Sequence, residues 1–352
     1  TINVEEGQPY TVTAVTLEGE YLGTEEDFKT LVAVKPGEPY RAETVTNTTR
    51  AFVERFGTFG YAFARVEPRT DIDRAKGRVA VALVADPQRR VYVRRINVAG
   101  NSRTRDEVVR REFRQFESGW YDGAKIKLSR DRVDRLGYFK DVAIDSAEVP
   151  TAQDQVDLTI NVTEKPTGNL LLGAGYSSAD KLAITASIRQ DNVFGSGNYL
   201  GLELNTSKST RTISLSTVDP YFTIDGVSRA LEMYYRTSRP VNSQGEQYEL
   251  VTPGASIRFG IPFSEYDTVF LGLGAEQTEI RGDVNLPANY FNYRYAFGAY
   301  SLSVPITLGW SRDARDSAIA PSAGRYMRLN LEWGIAGDTR YAPRARRRRA
   351  PC

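Results

Sequence analysis

Arg312, Asp313, Arg315 and Asp316, in the run RDARD, set two carboxylates among two guanidiniums, a grouping able to move a proton or hold an anion. Gly195 and Gly197 could open a loop that cradles phosphate. Neither reading survives its surroundings. Pro321 and Gly324 just beyond RDARD mark a turn between strands, and no helical pattern follows Gly197, as a dinucleotide loop requires. The chain of 352 residues has no histidine, so Ser-His-Asp and Cys-His catalysis and histidine zinc sites are out of reach. Its one cysteine, Cys352, is the last residue, which excludes a disulfide framework and a cysteine metal site. No enzyme activity, metal or cofactor is expected. The spacing that does carry information is that of Leu200, Leu202 and Leu204 in GNYLGLELNT (197–206), and the chemistry it raises is solvation.

An extended chain sends alternate side chains to opposite faces, so these leucines share a face that must meet a protein core or lipid. The same alternation recurs in Ile213/Leu215, Ile257/Phe259/Ile261, Val269/Leu271/Leu273/Ala275, Val304/Ile306/Leu308/Trp310 and Met327/Leu329/Leu331/Trp333. None of these stripe residues is charged, in a chain that is 26% charged. A lipid face explains this, because Arg or Lys at the bilayer midplane costs about 2–4 kcal/mol. Strands are expected near 168–178, 181–190, 198–207, 211–219, 228–238, 249–262, 267–280, 301–312 and 325–336. Most are long enough for the roughly 9–11 residues a tilted strand needs to span a bilayer, whereas strands of soluble domains average about 5–6. Trp310, Trp333, Tyr199, Tyr221, Phe222, Tyr234 and Tyr235 fall near strand ends, where interfacial girdles belong. Tight connections at SADK (178–181) and SEYD (264–267) contrast with a long, tyrosine-rich one at 281–299. Transmembrane barrels show that asymmetry.

The first half is a different material. TINVEEG at the start recurs as TINVTEK at 159–165, and between them lie two copies of one unit. YTVTAVTLEGE (10–20) and VYVRRINVAGN (91–101) are β-rich runs ending in a glycine turn. Thr24 before Glu25–Asp27, and Thr104 before Asp106 and Glu107, resemble helix starts. A second helix follows in each copy, carried by Val45, Thr49, Phe52 and Phe56 in one and by Ile126, Val133 and Leu136 in the other. Two strands close each unit, ending in VAVALV (79–84) and VDLTI (156–160), so the unit reads β-α-α-β-β. Three-stranded sheets keep open edges that can pair with a guest strand; the alternative is that the repeats are spacers.

Six runs, in order, resemble the BamA family of outer-membrane assembly factors. RREFRQFESGWYDG (110–123) and DRLGYF (134–139) are similar to its final POTRA domain, and EKPTGNLLLGAGY (164–176) to the junction and first barrel strand. QDNVFGSGNY (190–199), DPYFTIDGVS (219–228) and SRDARDSAIAPSAGR (311–325) are similar to its barrel turns. The resemblance implies an α+β fold of tandem POTRA domains followed by the first part of an antiparallel transmembrane β-barrel. The boundaries expected are the end of a preceding POTRA domain at 1–8, POTRA domains at 9–87 and 88–165, and about nine barrel strands over 166–341. The tail 342–352, with prolines and five arginines, reads as foreign to a membrane strand, the product of a changed reading frame rather than a basic nucleic-acid patch. The terminal arginines also mislead the charge balance: six lie in the last 13 residues, and without them the net charge of +2 becomes negative, so no nucleic-acid partner is expected.

The function implied is insertion of β-barrel proteins into the bacterial outer membrane, with the POTRA domains in the periplasm. The first barrel strand, Asn169, Leu170, Leu171, Leu172, Gly173, Ala174, Gly175 and Tyr176, would template incoming strands. Its glycines weaken it, or alternatively let it bend at a barrel seam. Arg110, Arg111 and Glu112, placed on the first helix of the last repeat, would by resemblance meet an accessory lipoprotein, or else form a solvated face. The partners implied are unfolded outer-membrane β-barrel proteins, accessory lipoproteins and outer-membrane lipid. A two-partner secretion pore or a TamA-like factor of the same superfamily is the rival reading, and a passive porin leaves the repeats without a purpose.

Overall fold

The computed structural model describes residues 8–178, 181–240, 248–282, 286–315, 322–338 and 341–351, the last stretch as backbone only. The opening TINVE run, as well as Asp316 and Pro321 of the turn after RDARD, lies outside them. The chain divides into two compact units, one of residues 1–102 with 109–164 and one of 103–108 with 165–352.

The first unit holds both repeats. In the first copy β1 (Thr11–Gly19), α1 (Glu25–Lys29), α2 (Ala42–Thr58), β2 (Arg65–Asp73) and β3 (Arg78–Asp86) follow in order, and in the second β4 (Tyr92–Ala99), α3 (Asp106–Arg110), α4 (Gly123–Arg135), β5 (Phe139–Val149) and β6 (Ala152–Glu164). Each sheet places the last strand in the middle, parallel to the first and antiparallel to the fourth element, in the orders β1-β3-β2 and β4-β6-β5. Central strands must be apolar on the helix-facing side. Val79, Val81, Leu83 and Ala85 alternate inward on β3, and Val156, Leu158, Ile160 and Val162 on β6. On α2 the buried stripe is Val45, Thr48, Phe52 and Phe56, so Thr48 takes the place expected of Thr49. Phe28, Phe52 and Phe56 meet Tyr21 through ring centroids 5.1–6.0 Å apart, and the Tyr21 hydroxyl donates to Leu83 O at 2.7 Å. Burial raises the Tyr21 hydroxyl to a pKa of about 12, with Glu25 and Glu18 adding to it.

The repeat extends to backbone detail. Gly19 and Gly100 end β1 and β4 with φ near +90°, and a Cβ there would strike the carbonyl oxygens of Ala85 and Val162 respectively. Thr48 and Ser129, both buried, each donate to the carbonyl four residues back, at 2.9 and 2.7 Å. Each also accepts a backbone N–H from the segment after the first helix, Ala33 N at 3.2 Å and Arg114 N at 2.8 Å. Their separations along the chain are identical, 15 residues. The helix starts differ from expectation: the Thr24 hydroxyl donates to Tyr21 O at 3.0 Å instead of capping α1. Asp122 does cap α4, accepting from Ala124 N and Lys125 N.

The second unit is a meander of ten antiparallel strands: β7 (Gly168–Ser177), β8 (Lys181–Gln190), β9 (Tyr199–Thr206), β10 (Thr210–Asp219), β11 (Ser228–Ser238), β12 (Glu249–Pro262), β13 (Asp267–Arg281), β14 (Tyr300–Asp313), β15 (Arg325–Gly337) and β16 (Tyr341–Pro351). The first nine fall where the alternation places them. A helix, α5 (Ala288–Phe297), occupies the long tyrosine-rich connection, where none was expected. Register brings the stripes side by side: Leu202 faces Leu215, Ile257 faces Leu273, Leu271 faces Leu308, and Trp310 faces Leu329. Leu200, Leu202, Leu271 and Leu273 on this face are 42–49% exposed, so among the described residues no protein layer covers it. Glu203, Glu232, Arg258, Glu276, Arg328 and Glu332 occupy the alternate positions of the same strands, and the Tyr234 hydroxyl donates to Glu276.

The tail departs from the sequence reading. Residues 341–351 do not leave the sheet; their backbone pairs antiparallel with β15, with a register break between Glu332 and Gly334. Proline and arginine argue against a central membrane strand, but among the described residues β16 pairs on one side only, with β15. The free edge of β15 offers N–H and C=O groups whatever side chains the guest carries, and edges tolerate proline.

Segment 103–108 belongs to this unit. Thr104, read as a helix start, is buried, and its hydroxyl accepts from Asn192 Nδ2 at 2.8 Å while Arg105 N donates to Gly195 O at 3.0 Å. The Gly195 region is thus a packed turn and not a phosphate loop, as its strand context implied.

Candidate functional site

β7 is the first strand of the meander. Among the described residues β7 pairs with β8 alone, from Gly168↔Gln190 to Ser177↔Lys181. All ten of its residues are exposed, and Leu170, Leu172 and Tyr176 are 63%, 71% and 76% exposed. Its apolar parity continues the stripe, with Leu170 facing Ile188, Ala174 facing Ile184 and Tyr176 facing Leu182. Asn169, Leu171, Gly173 and Gly175 point to the opposite side. A Cβ at Gly173 or Gly175 would meet nothing within 4 Å, and neither has a positive φ. Space and backbone geometry therefore do not require glycine at either position; its effect there is to remove cross-strand packing.

The three residues expected at a partner surface separate. α3 ends at Arg110, so Arg111 and Glu112 lie beyond the helix rather than on it. Arg110 is exposed and sits 3.7 Å from Glu117. Glu112 is buried, 4% exposed, and pairs with Arg132 of α4 at 2.8 Å. In this structure the Glu112 carboxylate is held inside the repeat by that pair rather than displayed on a helix face. Arg111 is half-buried.

Nearby residues that the sequence reading passed over are better displayed. The Gln115 amide donates to Phe116 O and Trp120 O and accepts from Asp122 N, holding 115–122 as one loop. That loop presents Phe116, 71% exposed, and Trp120, which stacks on Tyr92 at 3.7 Å with the Arg90 guanidinium 4.1 Å from its ring. Glu117 Oε1 accepts from Ile96 N at 2.8 Å. On the same strand Arg94 donates to Asp157 at 2.8 Å, and that hydrogen bond holds the Asp157 carboxyl below its ordinary range. Among the described residues no cluster of acidic residues or cysteine has metal-ligand geometry.

Comparison with known proteins agrees with this layout. Residues 10–87 and 91–165 each match the POTRA model, described as a surface antigen variable number repeat, and 192–343 match the Omp85 superfamily domain. The outer membrane protein assembly factor BamA of Neisseria meningitidis serogroup B is 35% identical over 96% of this chain and 44% of its own length. That of Nitratidesulfovibrio vulgaris is 28% identical over 95% and 42%. The crystal structure of BamA from Haemophilus ducreyi lacking POTRA domains 1–3 superposes with a TM-score of 0.73 at 26% identity, covering 94% of this chain and 64% of that one.

POTRA repeats leading into an antiparallel sheet with one apolar, uncovered face define an outer-membrane protein of the Omp85 class, its repeats periplasmic. Within that class the chain belongs to the BamA family. It spans less than half the length of the curated relatives named above.

Proposed function

We propose that this chain supplies the client-binding repeats and the templating seam of a non-enzymatic factor that folds β-barrel proteins and inserts them into the outer membrane. The composition of β7 carries this reading: an apolar face on alternate residues, with Gly173 and Gly175 removing cross-strand packing from the other. An incoming barrel must satisfy every backbone group before it enters hydrocarbon, where each unpaired group costs several kcal/mol. A first strand loosened by Gly173 and Gly175 offers pairing at membrane depth through a ladder that is weak to open. No nucleotide need be hydrolysed, because pairing and burial of the client drive the step. The relatives are named assembly factors, which supports the assignment. Clients are unfolded outer-membrane β-barrel proteins. Accessory lipoproteins dock on the last repeat beside Arg110, and lipid solvates the apolar face.

Single cysteines at 170–176, in a background with Cys352→Ser, test the templating role in outer membranes of cells making the protein. Disulfide formation with cysteines along a client's last strand is expected at alternate positions, as a paired strand requires. Absence of cross-linking at all seven positions contradicts the proposal.

A further inference from the structure

The apolar face of the meander changes character at one end. β7 follows directly on the periplasmic repeats, so odd-numbered strands run outward across the membrane and even-numbered ones return. On β13 the stripe Val269, Leu271, Leu273 and Ala275 gives way, at the same parity, to Gln277, Glu279 and Arg281. Glu249 of β12, in phase with Ile257, faces Arg281 across the ladder. Arg239 continues the row of Met233 and Tyr235 just past the end of β11, and Arg211 heads the row of Ile213 and Leu215 on β10. These groups meet: Arg239 lies 2.9 Å from Glu249, and Arg281 lies 3.5 Å from Glu249 and 2.7 Å from Glu279.

The order of burial decides what the cluster displays. The side chains of Glu249 and Glu279 are 22% and 12% exposed, those of Arg239 and Arg281 44% and 52%. The carboxylates therefore lie beneath and orient the guanidiniums, and the cations form the surface. A guanidinium has five N–H donors in a planar fork, more than these contacts use, and that fork matches phosphate. Lys208 and Arg211, both exposed, stand in the adjoining hairpin, which Arg239 N joins through Ser209 O at 2.7 Å. Strands tilted about 40° rise roughly 2.6 Å per residue. Arg281, eight residues past Leu273, is thus about 20 Å above the middle of the stripe, beyond the ~15 Å half-thickness of the hydrocarbon and level with lipid headgroups. Exposed Tyr300, opposite Glu279, and Tyr235 mark the interface. At the periplasmic ends of the same face the arginine pairs stand apart, Arg229 with Asp219 at 4.0 Å and Arg312 with Asp267 at 3.3 Å, on different strands and sharing no carboxylate.

We infer that Arg239 and Arg281, with Lys208 and Arg211 beside them, bind the phosphate monoester of an outer-leaflet glycolipid of the lipid A class, its acyl chains lying along the stripes of β10 to β13. Two guanidiniums that touch one carboxylate are close enough to grip one phosphate. A monoester carries up to two negative charges and three acceptor oxygens, so it uses both guanidiniums, whereas the phosphodiester of an ordinary phospholipid carries one charge. The inference rests on the lipid-face reading and adds which lipid meets the outer end; it is independent of templating at β7.

The test titrates the whole chain, in detergent micelles, with bisphosphorylated lipid A, with the same lipid A after both phosphates are removed, and with dioleoyl phosphatidylglycerol. Native mass spectrometry reads the bound fraction. Bisphosphorylated lipid A should bind at least about tenfold tighter than either of the others, and Arg239→Gln with Arg281→Gln should weaken it about tenfold or more, as loss of a charged hydrogen bond implies. Arg229→Gln, at the periplasmic end, should leave binding unchanged. Should circular dichroism show that the double variant loses its strands, Arg211→Gln, outside the ion-pair network, should still weaken binding. Equal binding of the dephosphorylated lipid overturns the phosphate site and leaves the lipid face standing. Equal binding of phosphatidylglycerol overturns the choice of glycolipid, and an equal loss with Arg229→Gln, or none with any folded variant of the cluster, overturns the location. Binding of none of the three lipids removes the lipid face as well.

Discussion

Leu273 sits mid-strand in the 15-residue β13, facing Ile257 on one side and Ile306 on the other, with half its surface uncovered by protein. If hydrocarbon covers the rest, Leu273→Arg must bring a guanidinium to the bilayer midplane. The cost relative to Leu273→Ala is then about 2–4 kcal/mol, roughly 30- to 1,000-fold in the folding equilibrium. Ile261→Arg, on the same face but one residue from the end of β12, should cost at most about 1 kcal/mol, because the side chain reaches the interface. Ser256→Arg, on the opposite face beside Glu232, should cost less than either. Urea titration of the chain in thin-bilayer vesicles, followed by tryptophan fluorescence, reads all four variants. A soluble core would penalise Leu273→Ala and Leu273→Arg alike through the cavity and the buried charge, with no dependence on depth. Equal costs at Leu273 and Ile261 would refute the lipid-face reasoning.

Arg132→Ala leaves the buried Glu112 carboxylate without its partner and should cost about 3–5 kcal/mol, whereas Arg110→Ala should cost less than about 0.5 kcal/mol; urea unfolding of the repeats separates the two. Thr48→Val and Ser129→Ala each strand one backbone N–H, at Ala33 and Arg114, and matched losses of about 1–3 kcal/mol are expected in the same assay. Asp157 has a folded pKa below its unfolded 3.8, so its pairing with Arg94 contributes stability above about pH 4 that is lost as pH falls through the folded value. Arg94→Met should flatten that acid limb while leaving stability near pH 7 little changed, since the pair is exposed.

Features with a period in the chain were legible. The strand boundaries of β7 to β15 follow from two-residue alternation interrupted by turn residues, and the repeat unit from helical spacing between glycine turns. Where the deciding partner is remote in sequence, the reading fails. Glu112 looks like a surface residue until α4 folds Arg132 over it from 20 residues away. Thr104 looks like a cap, but its partner Asn192 is 88 residues distant. Arg111 and Glu112 fell off a helix that is only five residues long, too short for periodicity to fix its end. The arginines of 344–349 spoke against a strand, yet pairing at an edge is a property of the backbone, and composition does not record it.

The central claim is that the outer edge of β7 pairs with a client strand during insertion. Amide hydrogen exchange at 169–176, measured in outer membranes before and after a client is arrested during insertion, tests it most directly. Before arrest the amides on the side away from β8 should exchange far faster than those of β12 and β13, and arrest should bring them into the slow class. Slow exchange before arrest, or fast exchange that persists with the client in place, would contradict the account.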